Sequence, residues 1–71
     1  MNKFILKIDD LFYHEDEADG SLLIKDMEMA NIFSEKQLKI YGFPENLIGM
    51  EIYREDSDKP IEIKNVELIK V

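Results

Sequence analysis

His14 is the single histidine of the chain, and Glu15 and Asp16 follow it directly. An imidazole beside carboxylates has the makings of a general base or a metal ligand. No nucleophile accompanies it. Ser21, Ser34 and Ser57 sit in turn-like contexts, and none lies in a Gly-x-Ser-x-Gly arrangement. Asp9 and Asp10 are adjacent, so on a regular strand their carboxylates point to opposite faces and do not pair. His14 therefore reads as a solvent-facing side chain among acids, and the sequence predicts neither a catalytic residue nor a cofactor.

A cation site is the other chemistry that spacing suggests. Counted from Glu15, positions one, three and five are Glu15, Glu17 and Asp19, position six is Gly20, position eight is Leu22 and position twelve is Asp26. That is the spacing of a calcium loop, in which Gly makes the sharp turn and the last acid binds through both oxygens. Two mismatches favour a solvated acidic turn instead. Glu stands first where a shorter Asp is expected, and Asp stands last where the longer Glu must reach around the ion. Divalent-metal binding through residues 15–26 is carried as an alternative.

Tyr13, Tyr41 and Tyr53 each fall one place beside an apolar stripe. With Asp16, Glu17 and Asp19 as an acidic rim, they are candidates for a protein-binding face. Met27, Met29 and Phe33 read as core and edge filling, a use that suits the flexible thioether.

These side chains belong to one small domain. The 71 residues carry nine Lys and Arg against sixteen Asp and Glu, a net charge of −7. Proteins that bind nucleic acid gain affinity by releasing counterions with a basic patch. Here each Lys is isolated and Arg54 is followed by Glu55 and Asp56. Direct binding to nucleic acid or to an anionic membrane is thus disfavoured. The same charge suits an acidic mimic of nucleic acid, of the phage anti-defence type, that inhibits a DNA- or RNA-binding enzyme. The absence of cysteine excludes disulfides and thiolate chemistry. No apolar run approaches a membrane span, and the opening residues do not form a signal peptide, so a cytoplasmic location is expected.

Period-two alternation dominates the elements. Phe4, Leu6 and Ile8 share one side of a first strand, which is expected to continue into Leu11-Phe12-Tyr13 after a kink at Asp9-Asp10. His14 to Gly20 reads as the first turn. A short apolar run follows at Ser21 to Lys25, and the same period continues through Met27 and Met29. Leu38 with Ile40 suggests another strand, closed by Gly42-Phe43-Pro44, and Ile48, Met50 and Ile52 suggest the next. Asp56 to Pro60 is a turn. Ile61 and Ile63 are in phase but Val66 and Leu68 are not, so a bulge or a bend between layers is expected at Lys64-Asn65. These short strands predict an all-β domain over residues 1–71, a small antiparallel Greek-key β-barrel. One competitor remains open. Ser34-Glu35-Lys36-Gln37 fits a capping box and would start a helix near residues 34–41, stopped by Gly42 and Pro44, which would make the class α+β.

The strand order resembles the second domain of translation elongation factor Tu. The residues that carry the resemblance are Phe4 to Ile8 leading into Asp10-Leu11-Phe12, and the stretch from Glu15 through Gly20 to Ile24. Ile32 to Lys36 followed by the Gly42-terminated run from Gln37, and the closing run Ile63 to Leu68, complete it. The resemblance implies a Greek-key barrel over nearly the whole chain. No P-loop accompanies it, and acids replace the family's Gly-Arg-Gly turn, so the family's contact with tRNA is not carried over. The expected function is a non-enzymatic protein-interaction module with a protein partner, and exposed strand edges allow a homodimer.

Overall fold

The computed structural model describes residues 2–16, 18 and 20–71. Alternation at the start of the chain becomes β1 (Lys3–Ile8), with Leu6 and Ile8 buried inward and Phe4 packed against them. Asp9 and Asp10 do more than kink the strand. Asp9 adopts φ 57°, the left-handed region that Asp tolerates better than most residues. The chain reverses there, and Ile8 pairs with Leu11 at the start of β2 (Leu11–Asp16). β2 then pairs along its length with β3 (Gly20–Ile24), from Phe12↔Ile24 to Asp16↔Gly20.

Strand periodicity stops at Ile24. Asp26 accepts a hydrogen bond from the Glu28 amide and caps a 3-10 turn at Met27–Met29, where sequence alternation predicts more strand. The strand expected through Leu38 and Ile40 is also replaced. After the two-residue β4 (Phe33–Ser34), residues Glu35–Tyr41 form α1. Ser34 Oγ accepts from the Gln37 amide at 3.1 Å, and Gln37 Oε1 accepts from the Ser34 amide at 2.9 Å. Seven residues do not hold a helix by propensity alone. The reciprocal cap, the buried Leu38 and the left-handed Gly42 at the C-cap hold it here. The short helix given by the capping box is thus the outcome, within a fold that is mostly strand.

β5 (Glu51–Arg54) and β6 (Pro60–Glu62) form the hairpin expected around Asp56 to Pro60. Ile48 and Met50 lie ahead of it, after a 3-10 turn at Glu45–Leu47, rather than within it. β7 (Glu67–Lys70) follows β6 and pairs with β1, from Phe4↔Lys70 to Lys7↔Glu67. Residues 63–66 belong to no strand, so the phase slip falls in the connection between β6 and β7 and not at a bulge or a change of layer. They carry the chain from one end of the sheet to the other.

The seven strands make one sheet in the order β4-β1-β2-β3-β5-β6, with β7 on the remaining edge of β1. One pairing departs from the expected antiparallel barrel: β3 and β5 are parallel, meeting only at Leu22↔Tyr53 and Leu23↔Arg54. The sheet is mixed because the chain reaches β5 through α1 and the second 3-10 turn, a connection long enough to start a strand at either end. Inside lie Leu6, Ile8, Leu11, Tyr13, Leu23, Phe33, Leu38, Leu47, Ile52 and Ile63. Among the described residues no helix is long and apolar enough to cross a membrane.

Candidate functional site

The short parallel seam between β3 and β5 borders a concave surface. β3 and β5 run together for two registered pairs and then part toward Gly20-Ser21 on one strand and Met50-Glu51 on the other. An open cleft of about 170 Å³ lies in the gap, lined by Tyr13, Ser21, Phe43, Leu47, Met50, Glu51, Ile52, Tyr53 and Ile63. Most of these residues are apolar. Leu47, Ile52 and Ile63, all buried core side chains, line its inner end.

Tyr13 supplies the polar element. Residues two apart on a strand share a face, so exposed Glu15 lies on the same side of β2 as buried Tyr13, and Ser21 is the register partner of Glu15 across the hairpin. Tyr13 Oη donates to Glu15 Oε1 at 2.9 Å and lies 2.9 Å from Ser21 Oγ. With the phenol proton directed to the carboxylate, the Ser21 hydroxyl is the donor in the second bond. The result is a relay from Ser21 through Tyr13 to Glu15. Burial raises the Tyr13 pKa above its ordinary value. The Ser21 bond opposes that rise, and the Glu15 carboxylate adds to it through its hydrogen bond and its charge. A phenol held neutral in this way is a hydrogen-bonding group and not a base at neutral pH.

An aromatic cluster flanks the cleft. Phe43 meets Tyr13 edge-on, ring centroids 5.8 Å apart, and stacks on Tyr41 at 5.3 Å. Tyr41 and Tyr53 are 49% and 51% exposed, whereas Tyr13 is 3% exposed. The face of three exposed tyrosines expected from sequence phase is therefore corrected at Tyr13, whose strand position turns its ring into the core. Phe43, Leu47, Met50 and Ile63 were not singled out by sequence. They come from segments that no local pattern connects to Tyr13.

The acidic candidates lie elsewhere. His14, Asp16, Leu22, Ile24, Asp26, Met29 and Glu55 line a separate concavity on the outer face of β2 and β3. His14 is half-buried and not free in solvent. Its Nδ1 lies 2.7 Å from the Met29 carbonyl, which can only accept, so Nδ1 carries the proton and ties the 3-10 turn to β2. Asp16 Oδ1 accepts from the Ala18 amide at 2.8 Å. Of the four acids with calcium-loop spacing, Glu15 binds Tyr13 and Asp26 caps the 3-10 turn, while Glu17 and Asp19 lie outside the described residues. Among the described residues no group of three His, Cys, Asp or Glu side chains is placed to hold a metal.

Among the described residues Lys25 pairs with Asp56 at 3.1 Å, and Arg54 Nε pairs with the same carboxylate at 3.1 Å. The Arg54 hydrogen bond, followed by that of Lys25, lowers the pKa of exposed Asp56. No protein-family model, curated protein or solved structure matches the chain.

Proposed function

We propose that the chain is a non-enzymatic protein-interaction module whose recognition surface is the cleft between β3 and β5. One observation carries this reading: a mostly apolar opening into the core, rimmed by exposed Met50 and Tyr53 at 52% and 51%. Exposed aromatic and Met side chains around a desolvated pocket are the usual anchors of protein interfaces. At about 170 Å³ the cleft is smaller than the roughly 300–1,000 Å³ of small-molecule pockets. A cavity of about 150 Å³ holds benzene, so one large side chain fits. The reading keeps kinship with the second domain of translation elongation factor Tu at the level of the barrel, and places the module in the cytoplasm.

Affinity capture from host lysate with the wild-type chain and with Tyr53→Ala tests it. A partner retained by the wild type and lost by the variant supports the cleft; capture indifferent to Tyr53 removes it. The acidic mimic is the second reading, favoured by Asp16, Asp26 and Glu55 around the outer concavity. A captured basic protein that is lost by Asp26→Asn, and not by Tyr53→Ala, would favour that reading instead.

A further inference from the structure

The geometry points to a definite chemistry for the occupant: a bulky apolar side chain flanked by Arg or Lys, presented by a segment of another protein. This inference rests on the cleft being an interaction site and adds what the site selects.

The apolar half of the argument is size and lining. Leu47, Met50, Ile52 and Ile63 surround a space that one aromatic or branched side chain fills. The basic half comes from the rim. Glu51 lines the cleft, and its register partner in the β5–β6 hairpin is Glu62. Directly opposed residues share a face of the sheet, and like charges in that position repel. Both side chains are exposed. Among the described residues neither takes part in an ion pair, because the salt bridges formed are those of Lys25 and Arg54 with Asp56. Among the described residues no Lys or Arg lines the cleft. A cation arriving beside Glu51 and Glu62 meets two unneutralised carboxylates and relieves their mutual repulsion. An anion meets both with no compensation. The exposed ring of Tyr53, on the same strand, offers its face to a guanidinium as well. The net charge of −7 draws a basic segment toward the whole surface.

The test is a titration of the isotopically labelled chain, followed by amide chemical shifts, with three capped tripeptides: Arg-Trp-Arg, Gln-Trp-Gln and Glu-Trp-Glu. Saturable shifts at Ser21, Phe43 and Tyr53 report occupancy of the cleft. The expected order of affinity is Arg over Gln over Glu. The Arg peptide should be favoured over the Gln peptide by about fivefold at low salt, the scale of exposed ion pairs. That preference should shrink toward unity in the Glu51→Gln/Glu62→Gln double variant and at high salt. Equal affinity of the Arg and Gln peptides would overturn the charge selectivity and leave the cleft as an interaction site. Absence of saturable shifts with all three peptides would overturn the cleft itself, and the selectivity with it. A preference that persists in the double variant would overturn the assignment to Glu51 and Glu62. Both substitutions are on exposed strand positions, so a dispersed spectrum of the variant verifies its fold.

Discussion

The two sides of β3 are built differently. Toward β2 it is paired from Gly20 to Ile24 without interruption, and the inner residues Tyr13 and Leu23 lie opposite each other under a closed sheet. Toward β5 it holds two registered pairs and then lets go, and the core behind it reaches the surface as a cleft. The comparison sets a fully paired flank of the strand against one where a cleft opens. A hairpin formed from neighbours in sequence brings its register with it. A parallel pairing assembled across a long connection has no turn to fix it, and here it is short.

Matched deletions in the two regions test that contrast most strongly. Leu23 is fully buried under the closed side, and Leu47 lies against the cleft. Leu23→Ala should cost about 3–5 kcal/mol in urea denaturation, and Leu47→Ala about 2–3 kcal/mol, because part of its surroundings is already open. Equal losses would mean that the cleft does not relax packing around Leu47.

Gly42 sharpens the cleft side. It ends α1 at φ 70°, and a Cβ there would run into the Asn46 side chain, which donates to the Tyr41 carbonyl at 2.8 Å. Gly42→Ala should therefore cost more than about 1 kcal/mol. It should also shift the amide resonances of Phe43 and Leu47 on the cleft wall; an unchanged spectrum would detach the helix end from the site.

Tyr13 joins the two sides, and removing its hydroxyl should cost about 1 kcal/mol. The effect of Tyr13→Phe on pH dependence is more diagnostic. In the unfolded chain the phenol ionises near its ordinary value of 10.0, while the folded chain keeps the proton to higher pH. Above that value the unfolded state binds fewer protons than the folded one, so stability falls as pH rises. This contribution is fully present below pH 10 and is lost as pH climbs through the folded value. Alkaline denaturation curves of Tyr13→Phe should be flatter than those of the wild type, and superimposable curves would contradict the buried phenol.

The smallest effect concerns the rim. Glu62→Lys converts the opposed Glu51 pair from repulsive to attractive and should stabilise the chain by about 0.2–1 kcal/mol in urea denaturation at low salt. A destabilised variant would show that the two carboxylates do not feel each other.

Features decided by neighbouring residues were legible in the sequence, and features decided across the fold were not. Ser34 and Gln37 announce a helix because their reciprocal hydrogen bonds are local. Leu38 and Ile40 misled because two apolar residues two apart fit a strand as readily as a single helical turn. The slip from Ile63 to Val66 marked the break between β6 and β7, since side-chain phase is lost where a strand ends, but it did not show that the chain crosses to β1 within the same sheet. Asp9-Asp10 gave a break but not its angle, because alternation continues on both sides of a tight reversal. At the candidate site, Tyr13 and Tyr53 could be named in advance, whereas the rim acid there is Glu51 and not the acids named with them. Phe43, Leu47 and Ile63 could not, because their meeting depends on β5 settling parallel to β3.

The pairing of β1 with β7 has a mechanical consequence. Phe4 lies opposite Lys70, and the Val71 amide donates to the Lys3 carbonyl at 2.9 Å, so the two ends of the described chain leave the sheet side by side. Tension applied between those ends pulls across the strands and not along them. The ladder is then loaded one rung at a time, beginning at Val71, and β7 peels away like a zip fastener before the β2–β3 hairpin bears any load. Under stretch, this protein should yield softly from its outermost seam inward.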